Sequence, residues 1–89
     1  MVRITVTNAN SDALTLLLEG QLIGEAVDEL DSACERALAN GQRLTLDLMG
    51  VSCIDRKGVA LFHRLATRGV SIANCSGFVS ELLKLRNPL

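Results

Sequence analysis

The hydrophobic period of the chain switches repeatedly between two and about 3.6, and this alternation constrains the fold more than any other feature. Ile4-Thr5-Val6-Thr7 alternates with period two, and Leu14 to Leu18 is a second apolar run beyond the turn-forming segment Asn8-Ala9-Asn10-Ser11-Asp12, a hairpin pattern. From Glu25 the spacing becomes helical. Val27, Leu30, Cys34, Ala37 and Leu38 form one stripe, Glu25, Asp28, Glu29 and Glu35 lie mainly off it, and Asn40-Gly41 ends it. Leu44, Leu46 and Leu48 then alternate with Thr45 and Asp47 in a strand ending at Met49-Gly50, after which Val51-Ser52-Cys53-Ile54 runs into Asp55. A second helix opens at about Lys57, with Val59, Phe62, Leu65 and Ala66 inward, Arg64 and Arg68 outward, and Gly69 closing it. Val70 to Asn74 forms a fourth strand, and Ser76 caps a third helix carrying Phe78, Val79, Leu82, Leu83 and Leu85, stopped by Pro88. Strands alternating with helices at these lengths require crossovers. The expected architecture is one α/β domain spanning 1–89, a mixed sheet of about four strands, parallel beyond the hairpin, packed with about three helices.

Composition narrows the function. The 89 residues leave little room for a second lobe enclosing a substrate, and 48% hydrophobic with 21% charged residues excludes disorder. A net charge of −1 and only two aromatics, Phe62 and Phe78, supply neither the basic field nor the stacking platforms of nucleic-acid binding. Cys34, Cys53 and Cys75 are odd in number and scattered, which points to a reducing compartment rather than a disulfide framework. Met1-Val2-Arg3 leads straight into an alternating run, and no segment approaches bilayer-spanning length, so a cytoplasmic location without direct membrane insertion is expected.

Catalytic constellations are sparse. His63 with Cys53 could form a base and nucleophile, but a helix-surface histidine is the plainer reading. Cys53, His63 and Cys75 lack CxxC or HxxxH spacing, so no metal is expected, and no cofactor motif is present. Glu19 and Asp47 lie near strand ends, where solvated or hydrogen-bonded carboxylates are common. Leu82, Leu83 and Leu85 have the spacing of a core stripe more than of a docking stripe. A redox role for Cys53 would need the nearby cations to activate it; a small buried hydrophobe is the simpler alternative.

The segment Asp55-Arg56-Lys57-Gly58 departs from local physics. Asp55 is a sound N-cap, its carboxylate placed to accept from free N–H groups of the first turn. Arg56 and Lys57, however, place two cations at the positive end of the helix dipole, where they destabilise. Exposed cations are cheap to tolerate and can reach Asp55 or the acidic side of the first helix. They also form an anion site, suited to a carboxylate or phosphate presented by a partner.

Gly20-Gln21-Leu22, the acidic first helix, the strand Leu44 to Leu48, the approach Val51 to Asp55, and Gly58 opening the next helix together resemble a STAS domain, the family that includes the bacterial anti-sigma factor antagonists. The resemblance spans about residues 4 to 86, and its most specific element is the hydrophobic-Asp-x-x-Gly turn. It implies a non-enzymatic regulatory module without cofactor, whose partners are anti-sigma factor kinases, sensory or transport complexes, or other STAS domains. In the family the residue after the aspartate is usually a serine, which a partner kinase phosphorylates to switch binding off; the phosphate adds about −1.5 to −2 charges to the docking loop. Here Arg56 stands at the phosphoacceptor position and cannot be phosphorylated as serine is, and Lys57 follows it. Asp55 and Gly58 match the family's aspartate and glycine, implying an inherited loop shape with changed polarity. The expected docking set is Asp55, Arg56, Lys57, Gly58, Arg64 and Arg68, facing a protein with an acidic surface. The alternative is a small anionic ligand, a nucleotide or lipid headgroup, at the same loop. Family members commonly continue past the third helix with another strand and helix. An edge or apolar helix face left uncovered at Leu89 would be covered by homodimerisation or by docking onto a larger assembly.

Overall fold

A computed structural model describes residues 2–77 and 79–81. Its elements run β1 (Val2–Ala9), β2 (Ala13–Leu22), α1 (Glu25–Ala39), β3 (Arg43–Ile54), α2 (Arg56–Thr67) and β4 (Ser71–Ala73), with a further helical segment at residues 77 and 79–81. The sheet order is β1-β2-β3-β4, antiparallel between β1 and β2 and parallel thereafter, as the alternation of periods predicts. The hairpin closes through Asn10, whose side-chain oxygen accepts from the N–H groups of Asp12 and Ala13, each at 2.8 Å.

Both parallel connections are crossovers that take the right-handed path almost without exception, which puts α1 and α2 on one face of the sheet. Ion pairs between the two helices, described below, agree with that placement. The core lies between this face and the helices: Leu16, Leu18, Leu22, Leu44, Leu46 and Leu48 from the sheet meet Val27, Leu30, Cys34 and Ala37 of α1 and Val59, Leu61, Phe62 and Leu65 of α2. Val79 joins them. Ser76 caps the last segment as expected, its hydroxyl oxygen accepting from the Val79 N–H at 3.2 Å. Phe78, Leu82, Leu83, Leu85 and Pro88 lie outside the described residues. Among the described residues no helix is long and apolar enough to cross a membrane.

Two expectations are corrected. The third strand does not end at Met49-Gly50 but continues to Ile54. Its partner β2 advances from Leu17 to Glu19 while β3 advances from Asp47 to Gly50, and from Gly20 to Gln21 while β3 advances from Val51 to Cys53. Each step leaves one extra residue in β3, a β-bulge that shifts the alternation without breaking the strand. The Asp47 carboxylate accepts from the Met49 N–H at the first bulge, and Gly50 fits there because a Cβ would stand 2.6 Å from Cγ of Glu19. On α2 the inward residue is Leu61 rather than Ala66, which is exposed. The helix packs across the sheet on a stripe centred nearer Phe62 and Leu65, so the small Ala66 falls on its rim.

Candidate functional site

The continuation of β3 to Ile54 delivers Asp55 to the carboxyl ends of β2 and β3, where α1 and α2 both begin. One carboxylate oxygen of Asp55 accepts from the Gly58 N–H at 2.8 Å, the N-cap bond expected of it. The other accepts from the Gly24 N–H at 2.9 Å, thirty-one residues away in sequence. Gly24 is the N-cap of α1, has no side chain with which to cap, and holds a left-handed φ of 56° that favours glycine. Asp55 therefore supplies a negative charge to the starts of two helices at once. These contacts hold its carboxyl below the usual carboxylate range, with the Gly24 N–H the largest cause, the Gly58 N–H a further one and the charge of Lys57 a smaller one. The Asp55 N–H donates to the Leu22 carbonyl at 3.2 Å, tying the same junction from the backbone side.

Gly58 is buried in close contact with the end of β2. A Cβ there would lie 2.7 Å from Cγ1 of Ile54 and 3.1 Å from the carbonyl oxygen of Leu22. The first turn of α2 thus rests on the end of β2, at a distance only glycine permits.

The cations of α2 meet the carboxylates of α1. Lys57 pairs with Asp28 at 2.8 Å, Arg64 with Asp31 at 2.9 Å, and Arg68 with Glu35. The pairs ascend both helices in the same order, as parallel neighbours require. The hydrogen bond to Asp28 holds the Lys57 ammonium above its ordinary value. For Arg64 and Arg68, whose side chains are about half exposed, pairing of this kind contributes at most about 1 kcal/mol each. Arg56 differs from the other three: it is exposed and, among the described residues, makes no ion pair or hydrogen bond. Ile23, 39% exposed, precedes Gly24, and Arg56 follows Asp55, so the two residues flank the hydrogen bond that joins these segments. Sequence reasoning missed Gly24 and Ile23, although it placed α1's acidic side within reach of the α2 cations.

The other candidates separate. Asp47 is committed to the β3 bulge, while Glu19 stands opposite Gly50. Cys53 is half-buried on β3 opposite Gln21, and His63 is half-buried on α2. No group of three or more His, Cys, Asp or Glu side chains among the described residues could hold a metal ion. Ser52 is exposed and donates its hydroxyl to the Gly20 carbonyl at 3.2 Å.

A hairpin followed by two parallel crossovers on one sheet face, with an aspartate joining the starts of both helices, is the α/β arrangement that the STAS resemblance implies. The family model described as "Mlab, STAS domain" matches residues 5–87, and the chain belongs to that family. Among solved structures, the anti-sigma factor antagonist SpoIIAA in its unphosphorylated form is similar over 93% of this chain and 83% of its own, at 18% identity and a TM-score of 0.71. A protein of the DUF3478 family with a SpoIIAA-like fold, from Shewanella loihica, is similar over 97% of this chain and 76% of its own, at 16% identity and a TM-score of 0.58. At these identities the likeness is one of fold. Comparison with curated proteins finds no significant match.

Proposed function

We propose that the chain is a non-enzymatic, cytoplasmic docking module whose binding loop, Asp55 to Gly58, stays permanently cationic where relatives carry a phosphorylatable serine. The observation that carries this reading is Arg56: an exposed cation with no intramolecular partner among the described residues, held at the start of α2 by an aspartate and a glycine that fix the loop's shape. Arg64 and Arg68 belong to the same exposed side of α2, but they reach an acidic partner only by exchanging Asp31 and Glu35. Arg56 therefore carries the interaction, and Ile23, exposed just before Gly24, supplies an apolar contact. Lys57 tunes the loop through Asp28. A protein partner presenting a carboxylate fits this arrangement, and a kinase-like regulator or a transport or sensory complex would provide one. The rival reading, a small anion at the helix start, is weakened by Asp55, whose carboxylate already accepts from the Gly58 N–H.

The test is capture of partners from native cells with the tagged chain, followed by titration of each purified partner against wild type, Arg56→Ser and Arg56→Glu. Charge reversal is expected to weaken binding at least about tenfold, equivalent to about 1.4 kcal/mol, with Arg56→Ser intermediate. Affinity unchanged in both variants would overturn the assignment of this loop.

A further inference from the structure

Arg56, Ala60, Arg64 and Arg68 recur every four residues along α2, from its first position to its C-cap, and all four are exposed. Residues so spaced form one ridge on a helix surface, here about 18 Å long. Three of its four side chains carry a guanidinium group. α1 lays a carboxylate against two of them, Asp31 on Arg64 at 2.9 Å and Glu35 on Arg68, while Arg56 has no such partner among the described residues. These two pairs do little for the fold. Their side chains are between a third and just over half exposed, and a pair of that kind shifts an equilibrium at most about fivefold. Asp31 also carries a cost. Its Oδ2 meets Arg64, but its Oδ1 is buried with no hydrogen-bond partner among the described residues, a state that destabilises. A carboxylate kept where the fold gains so little points to a role in what its arginine can bind.

We infer that Asp31 and Glu35 act as an internal acidic ligand, occupying the far end of this arginine ridge until an incoming acidic chain exchanges with them. The inference rests on the docking role proposed for Arg56. That residue, unpaired, is the point of first contact, and Arg64 and Arg68 become available only as the carboxylates of α1 give way. Exchange of one such pair for another is nearly balanced, so an isolated anion gains Arg56 alone. An acidic peptide segment anchored at Arg56 meets the other two arginines at high effective concentration and gains all three. The contact therefore selects a partner whose carboxylates are spread along the ridge. It is reversible and weakens with salt, as contacts between exposed charges do.

The test titrates a fluorescently labelled oligoglutamate peptide with the full chain at low salt, read by anisotropy. Asp31→Asn with Glu35→Gln should bind the peptide at least about tenfold more tightly than wild type, and added salt should erase the gain. Asp12→Asn with Glu29→Gln removes the same two charges at exposed sites that make no ion pair among the described residues, and should change affinity less than about threefold. Equal tightening in both double variants, or none in the first, overturns the inference, and so does a peptide that binds no variant. Arg56→Ser, made in wild type and in the first double variant, separates this exchange from the docking role of the loop. If Arg56→Ser weakens binding while loss of Asp31 and Glu35 adds nothing, the loop's role stands and the exchange is overturned. A gain on their loss that Arg56→Ser leaves untouched supports the exchange and removes Arg56 as its anchor. Should the first double variant fail to fold by circular dichroism, Glu35→Gln alone should still tighten binding about threefold, and an unchanged affinity there overturns the inference.

Discussion

Replacing Asp55 with alanine removes acceptors from two backbone N–H groups at once, Gly58 at 2.8 Å and Gly24 at 2.9 Å. Loss of an N-cap acceptor costs about 0.5–2 kcal/mol, typically about 1. Hydrogen bonds to a charged group contribute about 1.5–3 kcal/mol, and the solvent access of the Gly24 contact places its share near the lower bound. The two losses sum to about 2–3 kcal/mol, which in a domain of this size lowers the thermal midpoint by roughly 10–20 °C. Asp55→Asn is the informative control. Its single carbonyl oxygen can serve one N–H while its amide group opposes the other, so about half the loss should remain. Because the folded state holds the Asp55 carboxyl below the usual range, its contribution is complete above the unfolded carboxylate pKa and disappears as pH falls through the folded value. The stability gap between wild type and Asp55→Asn, measured by urea unfolding followed by circular dichroism, should therefore close in acid. An Asp55→Ala variant within about 0.5 kcal/mol of wild type, or a gap that persists in acid, would refute the two-helix role of this side chain.

Gly58→Ala adds a good helix former, worth about 1 kcal/mol, yet its Cβ would press on the Leu22 carbonyl and on Ile54. Overpacking of that kind costs about 1–3 kcal/mol, so a net loss in urea unfolding is expected; equal or greater stability would show that α2 is free to move off β2. Cys34 is fully buried, and that burial, with Asp31 and Glu35 nearby, pushes its thiol up to about 12 from an ordinary 9.0. The folded chain keeps the thiol protonated while the unfolded chain ionises it, so this contribution is intact below pH 9 and declines between 9 and 12. Urea midpoints of wild type and Cys34→Ala should converge as pH rises through that window, and parallel pH profiles would contradict it.

Much of this fold is legible in the amino-acid pattern because strand and helix periods differ sharply and the punctuation between them is strong. Asn10 at the hairpin and Asn40-Gly41 after α1 end their elements where their side chains and backbone freedom dictate. Gly50 misleads by resembling a terminator when it is a bulge residue. The apolar phase Leu44, Leu46, Leu48, Val51, Ile54 carries the two shifts, but only the register against β2 reveals them as one strand. At the site, Asp55 is legible because its cap on Gly58 is local, and Gly58 because it completes the hydrophobic-Asp-x-x-Gly turn, although its packing on Leu22 is not local. Gly24 is not legible, since its link to Asp55 depends on where the ends of β2 and β3 meet. The cations are partly legible. Opposite charge on the two helices is visible in sequence, whereas the pairing of Lys57, Arg64 and Arg68, and the exclusion of Arg56 from it, follows from how the helices lie side by side.

The division of labour within the loop bears on how this module can diversify. The fold's demands at the α1–α2 junction are met by one carboxylate and one missing Cβ, at positions 55 and 58, and the two residues between them add nothing to the core. Positions 56 and 57 thus behave as an interchangeable cartridge in a fixed socket. Under the proposed docking role, arginine and lysine there set the charge that the loop presents. Exchange at these two positions leaves that scaffold in place, and a designer can use the same freedom to graft new specificities onto the chain.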